Sequence, residues 1–154
     1  MSAKPMSDVE MVRCAVCGAM NRVPVDKIQD GRAPVCGRCK NPLAIPSHPL
    51  VVTDATFAEQ VERSSLPVLI DMWAPWCGPC RMVAPVVEQL SAELAGRMRV
   101  AKMNVDENPI TSDRFKIQSI PALLLFRNGR EVDRIVGAQP KSGIMRRIQI
   151  VLQS

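Results

Sequence analysis

The stretch Pro67-Val-Leu-Ile-Asp-Met-Trp-Ala-Pro-Trp-Cys-Gly-Pro-Cys80 decides how the chain is read. Residues 67–73 are an apolar run of strand length, which predicts a buried strand. A C-x-x-C pair follows, and after it Val83, Val86, Val87, Leu90 and Leu94 recur at helical spacing. Cys77 and Cys80 therefore stand between a buried strand and a helix expected over about 77–94, with Pro85 kinking it. A thiol at a helix N-terminus faces unpaired N–H groups and the positive end of the helix dipole, and both favour thiolate. The thiolate is the attacking species in disulfide exchange, so Cys77 reads as the nucleophile. Cys80, one turn on, can reach back to that sulfur and resolve a mixed disulfide. Pro79 falls in the first helical turn, where its missing N–H costs little.

The flanking residues alternate between strand and helix. Residues 50–53 read as a short strand, and Asp54 as the cap of a helix to about Arg63 with Phe57, Ala58 and Val61 on one face. A strand is expected over 98–104 and a short helix over 108–115. Residues 121–126, the Asn128-Gly129 pair and residues 131–137 predict a hairpin. Ile144, Ile148, Val151 and Leu152 mark a last amphipathic helix. This order predicts an α/β fold, its sheet partly parallel and antiparallel at the end, with helices on both faces.

Residues 1–49 differ. They hold four of the six cysteines, six of the thirteen prolines, the only histidine and no aromatic residue. So short a segment cannot bury enough apolar area to offset its ordering entropy, and it needs a staple. Cys14-x2-Cys17 and Cys36-x2-Cys39 are separated by eighteen residues, a four-cysteine zinc spacing. Two such turns make a tetrahedral sulfur cage for one Zn2+ per chain; the same cage could hold iron, but nothing in the sequence selects iron over zinc. With all four positions filled by Cys, the metal is structural rather than catalytic. Neither pair follows a buried strand or opens a helix, which argues against a second redox pair. Gly18 and Gly37 are expected to let the turns aim N–H groups at sulfur. His48 reads as part of an extended, Pro-stiffened linker over 41–49.

At Val68-Leu-Ile-Asp71 and Trp73-Ala-Pro-Trp-Cys-Gly-Pro-Cys80 the chain resembles the thioredoxin active site. The resemblance covers residues 50–154. It includes Lys102 in Ala101-Lys-Met-Asn-Val-Asp-Glu-Asn-Pro109, then Ser119-Ile-Pro-Ala-Leu-Leu-Leu-Phe126, Asn128-Gly129 and Val136-Gly137. It implies a thioredoxin fold, a central mixed sheet flanked by helices, preceded by a small zinc-ribbon-like module. The domains are then 1–49, zinc module and linker, and 50–154, thioredoxin domain. The resemblance assigns Asp71 as the proton acceptor for Cys80, a role that burial in an apolar strand supports by raising its pKa. Lys102 on the neighbouring strand becomes its charge partner. Pro121 matches the family's cis-proline, and the backbone of Ile120 can pair with an extended substrate. Trp76, Gly78, Pro79, Ile120, Pro121 and Gly137 would bind substrate on an apolar docking face, with Trp73 packing behind it. Ala122 departs from the threonine many thioredoxins carry there, and Pro75 occupies a variable site; neither removes a catalytic atom.

With its N-terminal four-cysteine module, nearly the whole chain resembles the zinc-containing bacterial thioredoxins (the thioredoxin 2 or thioredoxin C type). That resemblance implies a monomeric cytoplasmic protein-disulfide reductase, recharged by NADPH-dependent thioredoxin reductase and acting on protein disulfides. It also implies that strong oxidants can oxidise the zinc thiolates and release metal. Gly78-Pro79, with no histidine beside Cys77, implies a reductant. A potential near ~−270 mV and a Cys77 pKa near ~7 are values typical of thioredoxins. The alternatives are a disulfide oxidase or isomerase, and a zinc-ribbon binding module that the redox pair switches.

Composition narrows the classes further. At 47% hydrophobic and 23% charged residues, bulk disorder is not expected. Apolar runs of about five residues are far short of the ~18 a membrane span needs. The first thirteen residues carry Lys4, Asp8 and Glu10 without an apolar core, so a secretory leader is not expected. The net charge of +5 comes from interspersed signs. Residues 1–49 have seven basic residues (Lys4, Arg13, Arg22, Lys27, Arg32, Arg38, Lys40) against Asp8, Glu10, Asp26 and Asp30. A four-thiolate zinc complex adds about −2. The module is then nearly neutral and has no aromatic to stack on bases, so nucleic acid is not an expected partner.

Overall fold

The computed structural model describes residues 9–24, 34–43 and 48–153. Linker residues 44–47 lie outside the described residues, as do Lys4, Asp8, Asp26, Lys27, Asp30 and Arg32. Two strands, β1 (Val9–Arg13) and β2 (Met20–Pro24), form an antiparallel hairpin with Val12 opposite Asn21. The remaining elements are β3 (Leu50–Val51), a first helix α1 (Ala58–Glu62), β4 (Val68–Trp73), α2 (Gly78–Glu93), β5 (Arg99–Asn104), α3 (Pro109–Arg114), β6 (Ala122–Arg127), β7 (Arg130–Val136) and α4 (Lys141–Gln153). Their five strands make one sheet in the order β3-β5-β4-β6-β7. The β3–β5 and β4–β5 pairs are parallel; β4–β6 and β6–β7 are antiparallel. The expected mixed sheet with an antiparallel end is therefore present.

Side chains alternate across a strand, so β4 feeds two cores. Val68, Ile70 and Met72 join Phe57, Val61, Met103 and Phe126 on one face. Phe57, Phe115 and Phe126 close that layer, with ring centroids 5.3 to 5.7 Å apart. Leu69 faces the other way, into Val83, Val87, Leu90 and Leu94 of the α2 segment and Ile144 and Ile148 of α4. Each of these buried aliphatic side chains stabilises by ~1.5–3 kcal/mol relative to exposure. The same alternation puts Asp71 on the Leu69 face, beneath α2. The helix runs through Pro85, which is exposed and does not end it.

The segment after β3 departs from expectation. The α-helix capped by Asp54 is instead a single π turn, Ala58–Glu62, with Phe57 at its N-cap and no side-chain cap. Phe57 and Val61 are buried, but Ala58 is exposed. The Asp54 carboxylate accepts the N–H groups of Ile110 (3.2 Å) and Thr111 (2.8 Å). Asp54 thus caps α3, fifty-six residues away, rather than its own helix. Asn108 returns the bond, its Oδ1 accepting the Asp54 N–H at 2.8 Å. Partial burial acts to raise the Asp54 pKa, but the Thr111 and Ile110 donors outweigh it and hold the carboxyl below its ordinary range.

The β6–β7 turn is left-handed at both residues, with φ of +53° at Asn128 and +79° at Gly129. A Cβ on Gly129 would also come within 2.7 Å of the Glu62 carbonyl oxygen. Gly129→Ala is therefore expected to destabilise the chain by at least ~1–2 kcal/mol, seen as a lower urea midpoint at unchanged slope.

In the N-terminal segment, Val12, Cys14, Val23, Cys36 and Leu43 form a small core of their own. Pro42 bridges to Val35. Asn41 to Leu43, expected to be linker, are therefore part of the module, because Leu43 supplies one of its few buried apolar side chains.

Candidate active site and candidate metal centre

Cys77 is the N-cap of α2, in extended conformation (φ −86°, ψ 109°), and its sulfur accepts the Cys80 N–H at 3.2 Å. Proline in the first turn leaves no donor unpaired there. Cys77 and Cys80 are joined by a disulfide with a Cα–Cα distance of 5.3 Å, while Cys14, Cys17, Cys36 and Cys39 are free. Both sulfur-bearing residues are buried, packed with Ala74 against Trp73, Val105 and Ile120. Around them Gly78 and Pro79 are exposed, and Trp76 is 69% exposed. The Ile120–Pro121 peptide bond is cis, and the Pro121 carbonyl accepts the Gly137 N–H at 2.8 Å. Gly137 has φ +91°, and a Cβ there would meet nothing within 4 Å. Its backbone conformation, and not crowding, calls for glycine. Trp76, Gly78, Pro79, Ile120, Pro121 and Gly137 thus gather from the α2 entry, the approach to β6 and the end of β7.

Asp71 is only 4% exposed, and its Oδ1 has no hydrogen-bond partner among the described residues. Burial pushes its pKa up to about 7, against the opposing charge of Lys102. A cavity of about 170 Å³ is lined by Asp71, Trp73, Cys80, Arg81 and Lys102, among others. It connects the carboxyl to the resolving cysteine and is wide enough for water. Lys102 is the register partner of Asp71 on β5. Among the described residues no direct ion pair joins the two. The Lys102 Nζ lies 5.9 Å from the centroid of the Trp73 ring, from where its charge acts on the carboxyl through space.

One polar contact at the site has no sequence signal. The Trp76 Nε1 donates to Asp106 Oδ2 at 2.9 Å, and Asn104 Oδ1 accepts the Asp106 N–H at 2.9 Å. The exposed indole is thereby held from the β5–α3 loop, thirty residues away. Asn104-x-Asp106 reads locally only as a turn after a strand.

The other four cysteines meet at the end of the β1–β2 hairpin. Their sulfurs all lie within 4.8 Å of one another, with Cys14–Cys39 and Cys17–Cys36 each at 3.6 Å. A tetrahedral sulfur cage around zinc, with bonds near ~2.3 Å, needs sulfurs about 3.8 Å apart, so the donor set fits. The two C-x-x-C turns have the same backbone. Cys14 N–H donates to the Ala19 carbonyl and Gly18 N–H to that of Cys14; Cys36 N–H donates to Asn41 and Lys40 N–H to Cys36. Gly18 has φ +77° and Lys40 φ +65°. Lys40, not Gly37, therefore takes the left-handed position of the second turn, a correction to the expectation. The position after the second cysteine is the one that must reverse. Hydrogen bonds from the Cys39 and Arg38 N–H groups push Cys36 down to about 6. Cys17 keeps a bond from the Ala19 N–H, which lowers its pKa, but burial and the neighbouring sulfurs push it up to about 11. His48 is outside the cage, its Nδ1 3.1 Å from Glu88 on α2.

Comparison with known proteins follows the same division. Residues 48–150 match the family model described as Thioredoxin, and residues 13–41 the zinc-ribbon model described as Thioredoxin 2, N-terminal. A thioredoxin of Synechocystis sp. is 56% identical over 91 residues, covering 59% of this chain and 85% of that protein. A thioredoxin of Mycobacterium tuberculosis is 52% identical over 101 residues, covering 66% of this chain and 87% of that protein. Thioredoxin 1 of Nostoc sp. is 49% identical over 98 residues, covering 64% and 92%.

Proposed function

Since the chain belongs to the thioredoxin family, in its zinc-containing thioredoxin 2 type, and is a thiol–disulfide oxidoreductase, we propose that it carries electrons from an NADPH-dependent thioredoxin reductase to protein disulfides. The observation that carries this reading is the Cys77–Cys80 disulfide at the α2 N-terminus, with the buried Asp71 carboxyl, whose Oδ1 has no hydrogen-bond partner among the described residues, on the cavity that Cys80 also lines.

In the reduced state the Cys77 thiolate attacks one sulfur of the substrate disulfide. The new bond joins Cys77 to substrate, the substrate S–S bond breaks, and the leaving thiolate takes a proton. Cys80 then gives its proton to Asp71, directly or through water, and its thiolate attacks the Cys77 sulfur. The Cys77–Cys80 bond forms and the second substrate thiolate leaves, taking up a proton from solvent as Asp71 gives its own back to solvent. The substrate gains two electrons and two protons, and the reductase restores the dithiol. Lys102 moderates the Asp71 charge. Trp76, Gly78, Pro79, Ile120, Pro121 and Gly137 receive an extended, apolar substrate segment beside the disulfide. Residues 50–154 act as the redox domain and residues 1–49 as the zinc module of a monomeric cytoplasmic protein. Among the described residues, no helix is long and apolar enough to cross a membrane. Equilibration against glutathione tests the direction of transfer: a potential near ~−270 mV is expected, and one near ~−120 mV would mean an oxidase.

The zinc bound by Cys14, Cys17, Cys36 and Cys39 holds the module together. Cys14→Ser is expected to lose metal and the fold of residues 1–49, while disulfide reduction by the remaining domain persists. Metal analysis beside an insulin-reduction assay checks both halves. The cage also responds to oxidant. Peroxide takes two electrons from two thiolates, which join as a disulfide; with two protons from solvent the peroxide becomes two waters, and zinc is released. Zinc that stays fully bound while Cys77 and Cys80 oxidise would end this sensor reading.

A further inference from the structure

We propose that Asn21 and Asn41 form an amide shell around the sulfur cage that holds the second C-x-x-C turn in place and sets how tightly the site keeps its metal; this rests on the zinc reading above. The backbones of the two turns match bond for bond, but their side-chain surroundings do not. Asn41 stands where the first turn has Ala19, and its Nδ2 lies 3.2 Å from the Cys39 sulfur. Asn21 reaches the other sulfur of that turn, with Nδ2 3.5 Å from Cys36. Among the described residues, Cys14 and Cys17 receive no side-chain amide.

Asn21 sits on β2 opposite Val12, on the strand face that also carries buried Val23. An apolar residue would be the ordinary choice there. The amide is fully used instead. One Nδ2 hydrogen serves the Ala19 carbonyl (3.1 Å) and the other points to Cys36, with the Val12 carbonyl a longer neighbour at 3.5 Å, and the Oδ1 accepts the Gly37 N–H at 2.9 Å. One side chain thereby ties the hairpin to the second turn and points an N–H at a ligand sulfur. Four thiolates on one Zn2+ leave about −2 to be dispersed, and amide N–H groups aimed at sulfur disperse it while fixing the ligand's direction. Asn21 and Asn41 are positioning residues, acting on the metal through Cys36 and Cys39.

Asn41 carries the test, because the side-chain bond seen for it goes to sulfur. The full chain, loaded with zinc, is titrated with a chromophoric chelator and compared with Asn41→Ala, Asn41→Asp and Asn21→Asp. The aspartates keep the size but place an anion beside sulfur. Asn41→Ala is expected to hold zinc about 10-fold more weakly, and the aspartate variants between ~10- and ~100-fold. With Co2+ in the cage, losing an N–H donor raises the energy of the sulfur electrons. The thiolate-to-metal charge-transfer band should then move to longer wavelength, a signature that loosened folding alone does not produce. Reduction of insulin disulfides should be unchanged. Zinc affinities within twofold of the unsubstituted chain, with unmoved cobalt bands, would overturn the proposal. An unsubstituted chain that takes up no zinc would overturn the zinc reading itself.

Discussion

Cys77→Ser is expected to abolish disulfide reduction, with turnover falling ~10³-fold or more. A serine hydroxyl is almost entirely protonated at neutral pH and, unlike the thiolate at a helix N-terminus, cannot displace a sulfur leaving group at a useful rate. The substitution is mild for the fold. Serine is a good N-cap, and its oxygen can accept the Cys80 N–H that the sulfur accepts at 3.2 Å. Lost activity would therefore report chemistry rather than a lost helix. Cys80→Ser separates the two steps. Attack by Cys77 should proceed while resolution fails, so the chain should accumulate as a mixed disulfide with insulin, visible by mass and released by dithiothreitol. Full turnover by the Cys77→Ser chain would overturn the assignment of the nucleophile.

Asp71→Asn should make the protein more stable at alkaline pH and slower to resolve its mixed disulfide. The carboxyl is buried, and its pKa of about 7 lies above an unfolded value near ~3.9. A raised pKa means that the folded state holds the proton more tightly. This contribution is fully present below pH ~4 and is lost as pH rises through about 7. Above that, the chain keeps an ionised carboxylate in an apolar strand, with Lys102 acting on it only from a distance. The span between the two values sets a ceiling of about 4 kcal/mol on the penalty. Urea unfolding of the oxidised chain should show Asp71→Asn ahead by a few kcal/mol at pH 8.5, with the gain shrinking towards pH 4. A gain equal at both pH values would mean that packing, and not ionisation, is responsible. Because asparagine cannot take the proton from Cys80, release of substrate from the mixed disulfide should slow by ~10²-fold or more.

Much of this site can be read along the chain because its logic is periodic. Two-residue alternation in β4 puts Asp71 on the α2 face, and the recurrence of Val83, Val87, Leu90 and Leu94 gives α2 its buried side. The cysteine spacing brings four sulfurs together for the same reason: each C-x-x-C turn closes locally. What escapes is decided by partners distant in sequence. Asp54 has the composition of a local N-cap, yet the exposed N-terminus of α3 competes for its carboxylate and wins two N–H bonds. Trp76 is held by Asp106, a contact that exists only once β4 and β5 lie side by side. Lys40 adopts a left-handed conformation that glycine would favour, because the turn after the second cysteine must reverse whatever residue stands there. Leu43 looks like linker until the poverty of the N-terminal core is weighed, since few other apolar side chains can fill it.

The central claim is that the Cys77–Cys80 pair delivers reducing equivalents to protein disulfides. Its most direct test is NADPH consumption in the presence of thioredoxin reductase, with insulin disulfides as acceptor and this chain in catalytic amount. Steady consumption that requires the chain and disappears with Cys77→Ser is the predicted result. No consumption above the level without the chain, while Cys77 remains reactive to alkylation and zinc stays bound, would contradict it.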